Sequence, residues 1–291
     1  MQTSTNAQTQ PQNTKTYALV DMSGLIYTKA HAYRNAPAPV ETSVTSILLY
    51  LNRPPFYANR IICVFDGPNG KDRRKAIYPE YKAKRKDSDL KDTVVEVAKR
   101  TREILQHSPY IVVYENGIEA DDAIAAIAEK IKGNVLVISV DRDLYQLTSP
   151  RTDVITFKGD LLRYACTPKQ FLMMKILTGD PSDNIKGIEG IGPKSAEKIV
   201  THYETFADLY DYAFTSDGLG KNSREETLEI LDRNNFLMRL TPPILVTEQE
   251  KSEILESIAH QWGRRTWDVV SACEVSHLTP EEIRTMELLK K

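Results

Sequence analysis

Val135-Leu136-Val137-Ile138-Ser139-Val140-Asp141-Arg142-Asp143 reads as a buried strand that runs straight into two carboxylates. A short apolar run of this kind fits a strand covered on both faces, as in a parallel sheet. Working outward, the arrangement recurs. Residues 17–20 lead into Asp21, residues 60–65 into Asp66-Gly67, and residues 110–114 are followed by Glu119-Ala120-Asp121-Asp122. Between these runs, residues 44–51 and 94–105 repeat at helical spacing, the second with Val94, Val97, Ala98 and Leu105 on one face. Alternating strands and helices predict an α/β fold with a mostly parallel central sheet flanked by helices. The acids from Glu119 to Asp122 open an Ala/Ile-rich helix ending near Lys130, where negative charge suits the helix dipole.

Beyond Phe157 the pattern becomes mostly helical. Thr167-Pro168-Lys169-Gln170 has capping-box spacing with proline at the first helical position, which predicts a helix running to Gly179. Thr279-Pro280-Glu281-Glu282 predicts the start of the last helix, and residues 217–224 read as a loop. The expected layout is a disordered tail at 1–16, an α/β domain at 17–166 with a basic arch or clamp at about 71–92, a helical DNA-binding region at 167–240, and a helical extension at 241–291.

The chain has 291 residues, 41% of them hydrophobic, enough for a substantial core. Its formal net charge of −2 gives no hint of a polyanionic partner, so the distribution of charge matters more than its sum. Residues 1–16 are mostly Gln, Thr, Asn and Ser and lack a signal-peptide pattern. No run approaches the ~18 apolar residues of a membrane helix, so a soluble protein away from membranes is expected. Cys63, Cys166 and Cys273 are odd in number and far apart, which excludes a zinc ribbon and argues against a disulfide framework. A reducing cytoplasm fits. The five histidines are equally scattered.

In an open α/β sheet, ligands bind beyond the carboxyl ends of the strands. One Asp after a strand is usually a turn residue or helix cap. Acids after four strands on one sheet edge are different, because they raise one another's pKa unless cations neutralise them. All-oxygen ligands without His or Cys select magnesium or manganese over zinc. Such a site suits two ions roughly 4 Å apart, one activating water and one stabilising the leaving oxygen of a phosphodiester. A further pair, Asp180 and Asp183, lies in Gly179-Asp180-Pro181-Ser182-Asp183-Asn184, which taken alone reads as an Asx turn.

Two segments fit nucleic acid. Gly187-Ile188-Glu189-Gly190-Ile191-Gly192-Pro193-Lys194-Ser195-Ala196 places glycines in a tight loop and proline at the start of a helix continuing to about Tyr203, an anion site made of backbone amides. A dinucleotide fingerprint is excluded, because the glycine order is reversed and a helix precedes the loop. The spacing is that of a helix-hairpin-helix, which follows the sugar-phosphate backbone, with Gly190, Gly192, Lys194 and Ser195 as contacts. From Lys71 to Lys86, eight basic residues (Lys71, Arg73, Arg74, Lys75, Lys82, Lys84, Arg85 and Lys86) face only Asp72 and Glu80, beside Tyr78 and Tyr81. Basic side chains neutralise phosphates while a tyrosine stacks on an unpaired base. Following Asp66 in the chain, the segment is expected to emerge over the acids, where Lys82 or Arg85 stabilises charge on the scissile phosphate.

Together, Leu19-Val20-Asp21, Phe65-Asp66-Gly67, Glu119-Ala120-Asp121-Asp122, Asp141-Arg142-Asp143, Gly179-Asp180-Pro181-Ser182-Asp183-Asn184 and Gly190-Ile191-Gly192-Pro193-Lys194 resemble the 5′-nuclease family. That family includes flap endonucleases, the 5′-exonuclease domain of bacterial DNA polymerase I, and phage 5′-exonucleases and ribonuclease H enzymes. The resemblance implies a PIN/resolvase-like sheet domain followed by the hairpin region. It implies a first metal site at Asp21, Asp66, Glu119 and Asp121, and a second supplied by Asp122, Asp141, Asp143, Asp180 and Asp183. Pro79-Glu80-Tyr81-Lys82-Ala83-Lys84-Arg85 is similar to the segment in which a tyrosine stacks on substrate and a lysine and an arginine reach the cleaved phosphate. Those roles fall on Tyr81, Lys82 and Arg85, with Lys84 and Lys86 as further phosphate contacts. The resemblance also implies potassium bound by the backbone at Ile188 and Ile191, and DNA bearing a 5′ flap, nick or free 5′ end, or an RNA–DNA hybrid, as partner. Replication proteins such as a single-strand-binding protein or a polymerase are further expected partners, and a monomer is expected. Length and the short arch favour the phage-type members.

The competing readings are a PIN-type ribonuclease, which ordinarily lacks the hairpin, and a catalytically silent junction-binding protein. Against the second, retaining so much like charge without metal costs stability. A haloacid-dehalogenase-like phosphatase is excluded because its Asp-x-Asp lies on the first strand, whereas Asp21 is followed by Met22-Ser23.

Overall fold

A computed structural model describes residues 15–263 except 53, 56, 85–88, 204, 217 and 241–244. Most of the expected tail lies outside the described residues, as do Arg85, Lys86, Cys273, His277 and the helix expected at Thr279.

The chain begins with β1 (Thr16–Asp21), α1 (Met22–Ala32), α2 (Pro39–Asn52) and β2 (Arg60–Val64). It continues through α3 (Asp72–Ile77), α4 (Lys91–Leu105), β3 (Ile111–Val113), α5 (Ala120–Lys130), β4 (Asn134–Ile138) and β5 (Thr152–Ile155). These five strands are all parallel, in the order β3-β2-β1-β4-β5. Side chains alternate between the faces. Ala18, Val20, Cys63 and Phe65 pack with residues of α1, α2 and α4, whereas Leu19, Ile62 and Val64 pack with residues of α5. Burial on both faces explains why the strands read as continuous apolar runs. The strand order reverses between β1 and β4, which opens a crevice at their carboxyl ends.

A helical region follows: α6 (Pro168–Thr178), a short antiparallel pair β6 (Gly179–Asp180) and β7 (Ile185–Lys186), α7 (Pro193–His202), α8 (Phe206–Thr215) and α9 (Arg224–Met238). It has its own core, including Met173, Ile176, Leu177, Leu209 and Leu231. Capping boxes start α6, α8, α9 and α10 (Glu248–Gln261) at Thr167, Thr205, Ser223 and Thr247. Each cap contributes about 1 kcal/mol by satisfying otherwise orphaned amides.

The last helix, α10, returns to the sheet. Ile254 and Ile258 pack with the α5 face, and the Gln261 side chain accepts from Val112 N and donates to Val112 O, both at 2.9 Å. That amide stands where another strand would pair and closes the open edge of β3. No helix among the described residues is long and apolar enough to cross a membrane.

Candidate active site

Each acid reaches the crevice through a local cause. Asp21 ends β1 and caps α1, accepting from Gly24 N at 3.0 Å. A Cβ on Gly24 would lie 2.7 Å from Asp21 Oδ2, so a side chain there would displace the carboxylate from its capping position. Asp66 follows β2 and accepts from Ala120 N at 2.8 Å, which ties it to the start of α5. Gly67 lets the chain pass so close that a Cβ there would meet Glu115 O at 1.6 Å. Asp141 leaves β4 and caps a short 3₁₀ turn through Asp143 N at 2.8 Å. Ser139 joins the two sides of the switch point: its Oγ donates to Asp21 Oδ2 at 2.6 Å and accepts from Asp141 N at 2.9 Å.

Two cavities collect the acids. Asp21, Asp66, Glu119, Asp121 and Asp141 line an open cleft of about 780 Å³ together with Lys82. Asp121, Asp143, Asp180 and Asp183 line a small cavity of about 10 Å³ beside it, so Asp121 borders both. This grouping differs from the division expected from sequence. Asp141 stands with Asp21, and Asp122 lines neither cavity, because both of its oxygens accept from Arg74. Ligand atoms of Glu119, Asp121 and Asp122 nonetheless lie within 4.8 Å of one another.

The electrostatics follow from burial and like charge. Burial, reinforced by Asp66 and Asp141, raises the Asp21 pKa to about 6. Burial and the neighbouring Asp122 push Asp121 well above the usual carboxylate range. Glu119 would also be raised by burial, but Lys82 and Arg74 hold it below its ordinary value. In the small cavity burial raises Asp143 against the pull of Lys175, whereas Lys175 and Ser182 overcome burial at Asp180 and lower it to about 2. Crowded, partly desolvated carboxylates with only oxygen donors fit a hard divalent cation, which relieves their repulsion without any soft ligand.

Two cations that position these acids, Arg74 and Lys175, were not legible as such, nor was the inward pairing of Arg73. Arg74, 1% exposed, donates to Glu119 Oε2 at 2.6 Å and grips Asp122 with two nitrogens. Lys175 bridges Asp143 and Asp180 from the last turn of α6. Arg73 binds Glu250 and Leu245 O at the start of α10. Two of the basic residues expected to contact phosphate, Arg73 and Arg74, are therefore paired within the fold, and Arg74 is buried.

Lys82 Nζ lies 2.7 Å from Glu119 Oε1 within the cleft, and its backbone sits in the left-handed region at φ 55°. Such strain in a non-glycine residue persists where surrounding contacts impose it. Here Lys82 N donates to Asp183 O at 2.9 Å, and Asn184 Nδ2 donates to Glu80 O at 2.9 Å. These bonds join the basic segment to the Asp180–Asp183 turn. Tyr81 departs from expectation. It is 2% exposed, packs in the helical core and donates its hydroxyl to Glu119 Oε2 at 3.2 Å. Without DNA, the ring serves as a packing residue of the helical core. Lys84 is exposed.

In the hairpin, Gly190 has φ 84° and Gly192 caps α7, with Pro193 at its first position. Gly190, Gly192, Lys194 and Ser195 are exposed, whereas the Ile188 and Ile191 side chains are buried and Ile188 O accepts from Ile191 N at 3.1 Å.

A carboxylate-lined switch point on a resolvase-like sheet, joined to a SAM-like helical unit, defines the class of protein. Residues 16–174 match the model of the 5′-3′ exonuclease N-terminal resolvase-like domain, and residues 166–253 match the 5′-3′ exonuclease C-terminal SAM fold. The chain belongs to the 5′-3′ exonuclease family. It is 32% identical over 191 residues to DNA polymerase I of Deinococcus radiodurans, spanning 62% of this chain and 20% of that protein. It is 31% identical over 229 residues to DNA polymerase I of Treponema pallidum, spanning 70% of this chain and 22% of that protein. The chain thus covers about a fifth of the length of these relatives. In fold it is similar to a bacteriophage T5 flap endonuclease solved with DNA and metal ions, with a TM-score of 0.69 at 23% identity, covering 85% of this chain and 99% of that one.

Proposed function

We propose that the protein is a magnesium-dependent 5′ nuclease that hydrolyses phosphodiester bonds near the 5′ end of flaps, nicks or RNA primers, in primer removal or repair. The observation that carries this reading is the cleft itself, where five carboxylates and Lys82 share one opening at the switch point. Asp21, Asp66, Glu119, Asp121 and Asp141 would hold one divalent ion, and Asp121, Asp143, Asp180 and Asp183 a second. When bound, such ions lower the pKa of water and offset charge on the scissile phosphate.

The chain's own residues supply the rest. Arg74 fixes Glu119 and Asp122, so α5 presents Asp121 to both cavities. Lys82 places an ammonium among the acids, where it counters charge developing on the cleaved phosphate. The exposed start of α7 after Gly192, with Lys194 and Ser195, suits the phosphates of a duplex without reading its sequence. A potassium ion at the hairpin backbone, activity on the RNA strand of a hybrid, and recruitment by a single-strand-binding protein or polymerase belong to the same reading.

Product lengths from a 5′-labelled flap test it, with DNA or RNA in the single-stranded arm and with magnesium or EDTA. Cutting at or beside the junction only with magnesium, leaving 5′-phosphorylated products, supports the reading. Normal binding with no cutting of either arm contradicts it.

A further inference from the structure

Helix α4 has two working faces. Val97, Thr101, Ile104 and Leu105 are buried, whereas Val94, Val95, Ala98, Lys99 and Arg102 line the same cleft as Asp21, Asp66 and Asp121. Their spacing of i, i+1, i+4, i+5 and i+8 is a single helical stripe. Its first part is apolar, with Val95 60% exposed, and its last part is cationic. Arg102 sits over the Tyr114 ring, its guanidinium carbon 3.8 Å from the ring centroid, and Tyr114 lines the cleft just beyond β3.

The pairing of these cations is unusual for their surroundings. Lys82, Arg73 and Arg74 are each bound to an acid. Among the described residues, Lys99 and Arg102 have no ion pair, although five carboxylates line the same cleft. Stacking on Tyr114 holds the Arg102 guanidinium in place and leaves its N–H edge free. A planar fork fixed in this way matches two oxygens of a phosphate.

We propose that Arg102, held by Tyr114 and assisted by Lys99, binds a phosphate of the single-stranded 5′ arm. α4 follows the basic segment in the chain, so the strand handled by that segment is the one that reaches Arg102. Val95, exposed about two turns away on the same stripe, suits the sugar or base of a neighbouring nucleotide. This assignment rests on the reading of the cleft as a 5′-nuclease centre.

The test is binding in calcium, read by fluorescence anisotropy of a labelled flap, so that it does not depend on turnover. The arm carries a neutral methylphosphonate at each position in turn. Wild type is expected to lose about tenfold in affinity at one position, R102Q to lose about tenfold on the unmodified arm, and R102Q to be indifferent to neutralisation at that same position. The dependence of log affinity on log salt should become shallower by about 0.7 in R102Q. R102K, which keeps the charge but not the stack, should fall between the two. The proposal is overturned if R102Q, folded by its melting curve, binds the arm as wild type does, or weakens equally on a duplex without an arm. Absence of cutting by wild type in magnesium, with these binding shifts intact, would count against the proposed function alone. Normal cutting without the shifts would count against the Arg102 site alone.

Discussion

Arg74 and Asp122 form a buried two-pronged ion pair, with Nη1 2.5 Å from Oδ2 and Nη2 2.9 Å from Oδ1. The same Nη1 reaches Glu119, and Nε donates to Leu237 O at 2.9 Å. One guanidinium therefore joins α3, the helix of acids and the end of α9. Removing it takes the two-pronged partner from buried Asp122 and leaves Glu119 to Lys82 and Tyr81, so Arg74→Met should cost about 3–5 kcal/mol in metal-free urea unfolding. Arg74→Lys should also be costly, because a single ammonium cannot span both acids. A loss under about 1 kcal/mol would show that this ion pair is not what secures α5.

Tyr81 separates packing from stacking. Buried in the helical core, it should make Tyr81→Leu lose about 2–4 kcal/mol of stability while affinity for a single-stranded arm, measured well below the melting point, changes little. Unchanged melting with lost affinity for the arm would restore the stacking role.

Asp21 gives the metal-free protein a pH dependence of defined sign. Its pKa rises from 3.8 to about 6 in the folded chain, so the native state holds the proton more tightly than the unfolded state. Stability therefore falls as pH rises between those values, and the full cost is present above the upper one. Asp21→Asn should stabilise the protein in EDTA at about pH 8 by up to roughly 3 kcal/mol, with the gain shrinking toward about pH 4. A gain that is equal at both pH values would contradict the assignment.

Lys175 fills the electrostatic place between Asp143 and Asp180. Lys175→Met should lower the melting temperature in EDTA and enlarge the rise produced by calcium, since an added cation then relieves more repulsion. Equal rises in both proteins would mean that Lys175 does not share this space with a cation.

Strand ends and carboxylates were legible because both follow from local pattern: an apolar run, then an acid. The grouping of those acids was not, because it depends on partners far away in sequence. Arg74 meets Glu119 across 45 positions, Lys175 meets Asp143 across 32, and Ser139 meets Asp21 across 118. A run of basic residues records charge but not direction, so Arg73 and Arg74 read as phosphate contacts, whereas they pair with Glu250, Glu119 and Asp122. The burial of Tyr81, in the same run, was not legible for the same reason. Strand β5 was not legible because Thr152-Asp153-Val154-Ile155 offers only two apolar residues, no run of the buried-strand kind. Lys99 and Arg102 escaped notice because α4 reads as one amphipathic face, whereas its second stripe lines the cleft.

The most direct test of the central claim uses Asp141→Ala on a 5′-labelled flap, with cutting followed in magnesium and affinity in calcium. Cutting is expected to fall to the level of the EDTA control while affinity stays close to wild type. Cutting that survives the substitution would remove the carboxylate cleft from the chemistry.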